Sequence, residues 1–186
     1  MRIVDLSSPF TLDGFVKNPH SGTHLDSPAY ALPGRKAIGD FPLERFAVDA
    51  ALLDLTNKRS GGPIDDEDLE AAEESAGLAL REGEAVILHT CVGDSPVPSR
   101  YLSRNGAEYL EFKGVSLVGV DSASIDGSEP SELTAHRILL GKDIIVLEGL
   151  SNLGAIECSR FRLASFPLML NAATSPVRAV AIFDRV

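Results

Sequence analysis

Two of the chain's four histidines, His20 and His24, stand four residues apart in the stretch NPHSGTHLDSPAY, residues 18–30, and Asp26 follows the second by two. Two imidazole nitrogens and a carboxylate oxygen make a donor set suited to a divalent ion such as Zn²⁺, Mn²⁺ or Fe²⁺. On a helix an i, i+4 spacing would place both rings on one face, as in metalloprotease helices. Gly22 and Thr23 between them, and Pro28 just beyond, argue against a helix here. In an extended chain alternate residues face the same way. His20, Gly22, His24, Asp26 and Tyr30 would then share one side and aim two imidazoles and a carboxylate at a common point. Gly22 would leave room there for a ligand or another backbone. The plainer alternative is a polar turn whose histidines do no chemistry.

A second pair of candidates lies in HRILLGKDIIVLE, with His136 in a short helix and Glu148 in the apolar strand after it. A carboxylate in such a strand needs a partner, because an unpaired buried charge is costly. Taken alone, the pair reads as Glu148 reaching water at the strand's end, with His136 on the solvent face of its helix. Taken with the first cluster, three histidines, one aspartate and one glutamate suffice for one or two divalent ions. His89, in ILHTCVGD, ends another strand where it could line a pocket. Cys91, just past the end of that expected strand, carries little weight as a nucleophile beside His89.

Other chemistries are absent from the pattern. There is no G-x-S-x-G elbow, Walker loop or G-x-G-x-x-G. DSASIDGS has the look of a calcium loop, but placing Gly127 at its glycine position puts Ser122 first and Leu133 twelfth, where a bidentate glutamate belongs. A net charge of −10 without a basic run disfavours nucleic acid and anionic membranes as partners. Cys91 and Cys158 are far apart and outside any C-x-x-C, which fits two free thiols. MRIVDLSSPF lacks the pattern of a secretory signal, and no apolar run approaches the roughly 18 residues of a membrane span. The expectation is a cytoplasmic protein.

The elements that must position these residues read as an α/β chain, a single domain over residues 1–186. Strands are expected at RIVDLS, at AVDAALLDLT (47–56), at EAVILHT (84–90), at VSLVGVD (115–121), at IIVLEGL, at FRLASFPLML and at VRAVAIFDR. Helices are expected in IDDEDLEAAEESAGLAL, capped by Asp65 with Gly77 at its far end, within SRYLSRNGAEYLEFKG, and from near Ser131 to Gly141. Several strands are apolar throughout, as in a mixed sheet covered on both faces by flanking helices and loops.

HSGTHLDSP resembles the H-x-G-T-H-x-D-x-P-x-H signature of the cyclase family, which includes bacterial kynurenine formamidases and isatin hydrolases. The resemblance continues in order through GVDSASID, AHRILLG, VLEGLSNL and SPVRAVAI. It implies a swivelling β/β/α fold, usually oligomeric, hence a homo-oligomer. It implies a metal-dependent amidohydrolase using zinc or manganese, one ion or two. By that resemblance the positions of His20 and His24 hold one metal, Asp26 bridges, His136 holds a second, and Glu148 bridges again. Metal-activated water would attack an amide, lactam or N-formyl carbonyl of a small-molecule substrate.

Two departures stand out. The signature ends in His, thought to be the family's general acid/base, where this chain has Tyr30. A phenol near pKa 10 donates a hydrogen bond but is a poor base at pH 7. The chain also has no Trp, whereas formamidases carry a longer N-terminal segment with an aromatic, commonly Trp, against the kynurenine ring. Both departures argue against kynurenine formamidase itself. They leave open a hydrolase of another small amide, a lactone-opening or dehydrating enzyme, and a metal-binding, non-catalytic ligand-binding or assembly module.

Overall fold

The computed structural model describes residues 1–9, 11–57, 61–91, 100–127 and 132–183. The strands are Arg2–Asp5 (β1), His24–Asp26 (β2), Ala47–Asp54 (β3), Gly62–Ile64 (β4), Ala85–His89 (β5), Arg100–Leu102 (β6), Leu117–Val120 (β7), Ile145–Glu148 (β8), Arg160–Ala164 (β9), Thr174–Pro176 (β10) and Val180–Phe183 (β11). The α-helices are Leu12–Lys17 (α1), Pro28–Ala31 (α2), Asp66–Ala76 (α3), Arg104–Phe112 (α4) and Thr134–Gly141 (α5).

Among the described residues nine strands form one mixed sheet in the order β1-β11-β9-β3-β5-β7-β8-β2-β10, while β4 and β6 pair separately. The centre, β3-β5-β7-β8, is parallel, and both flanks are antiparallel. This is the expected mixed-sheet α/β architecture. The apolar runs are explained by burial on both faces. Val86 and Leu88 of β5 point into a layer with Leu69, Ala72, Leu110 and Leu139 of the helices. Their neighbours Ala85 and Ile87 point the other way, toward Phe46, Leu6 and Leu25.

The ends of elements follow local chemistry. The N–H of Asp65 donates to Asp68 Oδ2 (2.9 Å) at the start of α3, and Gly77, with φ +63°, ends that helix as expected. The FRLASFPLML run is a strand only as far as Ala164, after which Pro167 keeps a single bridge to Val177. The expected start of α5 near Ser131 and the end of the last strand at Asp184 and Arg185 lie outside the described residues; α5 is observed from Thr134. Among the described residues no helix is long and apolar enough to cross a membrane.

Candidate metal centre

The site is built around β2, which is inserted antiparallel between β8 and β10. Its register sets His24 opposite Glu148 and Asp26 opposite Thr174. Alternation then puts His24 and Asp26 on one face, while Leu25 turns into the opposite core layer. His20 arrives from the preceding turn, where its N–H donates to Asn18 Oδ1 (3.1 Å) and Gly22 takes φ +70°. His136 is the third residue of α5, which packs over β8.

His20 Nδ1, His24 Nε2 and Asp26 Oδ2 form a triangle with edges of 3.2, 3.3 and 3.6 Å. Glu148 Oε2 lies 3.3 Å from His24 Nε2. Atoms about 2.1 Å from a tetrahedral ion stand about 3.4 Å from one another, so these edges match the spacing of ligands around one ion. On the other side of Asp26, His136 Nε2 lies 3.5 Å from Asp26 Oδ2 and 3.2 Å from Glu148 Oε1. Both carboxylates thus face both groups of imidazoles.

Each of four inward groups is held from behind. His24 Nδ1–H donates to the carbonyl of Gly22 (2.9 Å), which leaves Nε2 facing the centre. Thr174 Oγ1 donates to Asp26 Oδ1 (2.5 Å), and the Ile125 N–H donates to Glu148 Oε1 (2.7 Å). His136 Nδ1–H donates to Asp126 Oδ2 (2.6 Å). Two inward atoms, Asp26 Oδ2 and His136 Nε2, are buried and, among the described residues, face opposite charges at 3.2–3.6 Å without making a hydrogen bond. Orphaned polar atoms of this kind are rare in folded proteins, and a cation would satisfy both. The residues present therefore fit a divalent ion.

The electrostatics point the same way. His24, Asp26, His136 and Glu148 are each no more than 2% exposed. Burial pushes His24 down, but Asp26 and Glu148 outweigh it and hold the imidazole up at about 10. Burial also opposes the charge on His136, yet Asp126, Asp26 and Glu148 raise it well above the ordinary histidine range. Burial pushes Asp26 up, and the surrounding imidazoles pull its carboxyl well below the usual range; Glu148 is lowered in the same way by His136 and His24. Protonated imidazoles balance the carboxylate charge that a metal cation would otherwise balance.

Tyr30 sits over the centre from the one-turn helix α2. Its ring centroid lies 4.4 Å from that of His20 and 5.0 Å from that of His136. Burial raises its pKa, so the phenol is neutral at pH 7.

The structure brings His20, His24, Asp26, Tyr30, His136 and Glu148 together by a route that differs in part from the sequence reading. Only His24–Asp26 is extended; His20 lies in the turn closed by Ser21 N–H to the Asn18 carbonyl (3.1 Å), Gly22 after it takes left-handed backbone, and Tyr30 sits in the helical turn that Pro28 starts. At Gly22 another backbone does come close: a Cβ on Gly149 would collide with its carbonyl oxygen. Glu148 does not reach water and His136 does not face solvent, since β2 covers the end of β8 and α5 turns its ring inward. His89 lies with Asp121, 4.0 Å away, rather than with this cluster. Asp126 and Thr174 were missed. Asp126 is ten residues from its histidine with no local pattern joining them, and Thr174 meets Asp26 only through strand pairing.

A family model described as a putative cyclase matches residues 4–127. The chain is 32% identical over 175 residues to a kynurenine formamidase of Bordetella avium (strain 197N), covering 92% of this chain and 80% of that one. It is 33% identical over 171 residues to a kynurenine formamidase of Salinibacter ruber (strain DSM 13855 / M31), covering 87% and 74%. Among solved structures, isatin hydrolase A from Labrenzia aggregata has the same fold, with a TM-score of 0.79 at 19% identity over 97% of this chain and 93% of that one.

Proposed function

Since the chain belongs to the cyclase family of metal-dependent hydrolases, we propose that His20, His24, Asp26, His136 and Glu148 hold one or two divalent ions, zinc or manganese. We further propose that the site hydrolyses a small-molecule amide, lactam or N-formyl carbonyl. The observation that carries this reading is the pair Asp26 Oδ2 and His136 Nε2, buried, 3.5 Å apart and without a hydrogen bond among the described residues. The names of the relatives, a formamidase and an isatin hydrolase, support a carbonyl–nitrogen bond as the target.

A divalent ion bound there supplies Lewis acidity, bringing water's pKa toward neutrality and polarising a carbonyl oxygen. The chain's own residues do the rest. The carbonyl of Gly22 and the carboxylate of Asp126 hold the His24 and His136 rings with Nε2 inward. Thr174 and the Ile125 N–H fix the two carboxylates. Tyr30, protonated at neutral pH, donates a hydrogen bond to the substrate's carbonyl oxygen or leaving atom. Residues 1–186 are read as one catalytic unit, a homo-oligomer working in the cytoplasm.

A second reading, a metal-binding member without hydrolytic activity, is favoured by Tyr30 itself, because a phenol cannot replace an imidazole as a base at pH 7. The test is metal content by plasma mass spectrometry together with a panel of N-formyl anilides, lactams and lactones. Stoichiometric zinc or manganese with turnover abolished by chelation is expected. Metal without turnover, and activity gained in Tyr30→His, would establish the second reading. Failure to bind either metal would refute both.

A further inference from the structure

The start of α5 is unusual. Leu133, at its N-cap position, has left-handed backbone (φ 50°, ψ 46°) and a side chain unable to accept a hydrogen bond. The second and third N–H groups of a helix normally find their acceptor on the N-cap side chain. Here the acceptor comes from Asp126. Its Oδ1 accepts from the Ala135 N–H (2.6 Å), and its Oδ2 accepts from the His136 N–H (3.2 Å). The same Oδ2 accepts from His136 Nδ1–H (2.6 Å). One carboxylate, whose side chain is 6% exposed, therefore holds both the backbone and the ring of a single histidine. Asp126 is itself tied to the centre's other wall, because the adjacent Ile125 N–H holds Glu148 Oε1.

We propose that Asp126 is a positioning residue for the metal centre, starting the helix that carries His136 and locking that imidazole with Nε2 directed at Asp26 and Glu148. The assignment rests on the reading of His136 as a metal ligand. A carboxylate behind a ligating imidazole fixes its orientation and raises its basicity, and losing such a partner costs 10–100-fold in metal affinity. An aspartate that only capped α5 would affect folding without acting through the ring.

A double-mutant cycle separates these roles. Zn²⁺ affinity and stoichiometry are measured by competition with a chromophoric chelator for the parent chain, Asp126→Asn, His136→Ala and the double variant. Thermal melts of the metal-free proteins check folding, and His136→Gln replaces His136→Ala should the latter not fold. Asp126→Asn is expected to weaken binding about 10–100-fold in the parent and to change it less than twofold where His136 is already absent. In the Co²⁺-loaded protein, the paramagnetically shifted Nδ1–H resonance that His136→Ala removes should exchange faster with solvent in Asp126→Asn. An equal loss of affinity in both backgrounds, or none in either, would overturn the positioning role while leaving His136 as a ligand. Unchanged Zn²⁺ binding in His136→Ala would overturn the ligand reading, and the proposal with it.

Discussion

At the scale of single residues the centre is a balance between buried acids and buried bases. Without a metal, His24 is held protonated up to about 10 by Asp26 and Glu148 despite its burial. Its folded-state pKa is raised, so its contribution to stability is fully present below the unfolded value of about 6.5. That contribution is lost as pH rises through about 10. Thermal melts of chelator-treated protein should therefore show stability falling between these limits, and metal-loaded protein should not share that fall. A metal must displace the same protons. Calorimetric titrations of Zn²⁺ at pH 7 in buffers of different ionisation enthalpy should show net proton release, and affinity should rise with pH. Tyr30→Phe keeps the ring beside His20 and removes its hydroxyl. It should leave metal content unchanged while lowering kcat by about 10²-fold, the loss typical of a missing oxyanion donor. Unchanged kcat would reduce Tyr30 to packing.

Among elements, β2 matters most despite being only three residues long. Its place between β8 and β10 converts sequence-distant Glu148 and Thr174 into neighbours of His24 and Asp26. The turn that feeds it passes so close to the end of β8 that only glycine fits at position 149, where φ is also +66°. Gly149→Ala should cost about 1–3 kcal/mol from backbone strain alone. Because the displaced turn carries His20, it should also weaken metal binding, read by melts and chelator competition. Of the proposed ligands, His24 and Asp26 obey the i, i+2 alternation of an extended segment, whereas His136 and Glu148 joined them through the resemblance to the cyclase family and not through spacing. The apolar strands were legible because a sheet covered on both faces writes continuous apolar runs. The turn at Gly22 and the helical turn at Tyr30 were not, since period-two spacing alone does not reveal where a strand stops. Asp126 and Thr174 were hidden for a different reason: their contacts exist only after α5 and β10 have docked.

Over the whole molecule, the sheet holds the centre with two core layers, and β8 is where the two requirements meet. Leu147 is fully buried, one residue before Glu148 and opposite Leu25. Leu147→Ala should destabilise by about 2–5 kcal/mol, with the loss seen in urea unfolding of metal-free protein. Ligand linkage predicts a further effect of the metal on the entire fold: at a free concentration 1,000 times Kd, binding adds about 4 kcal/mol, so chelation should lower Tm cooperatively. The most direct test is anomalous diffraction at the zinc edge from crystals of the Zn²⁺-loaded protein. A peak is expected about 2.0–2.2 Å from His24 Nε2 and Asp26 Oδ2, with His20 or Glu148 completing its coordination and any second peak beside His136. A fully loaded protein whose anomalous peaks all lie away from Asp26 would contradict it.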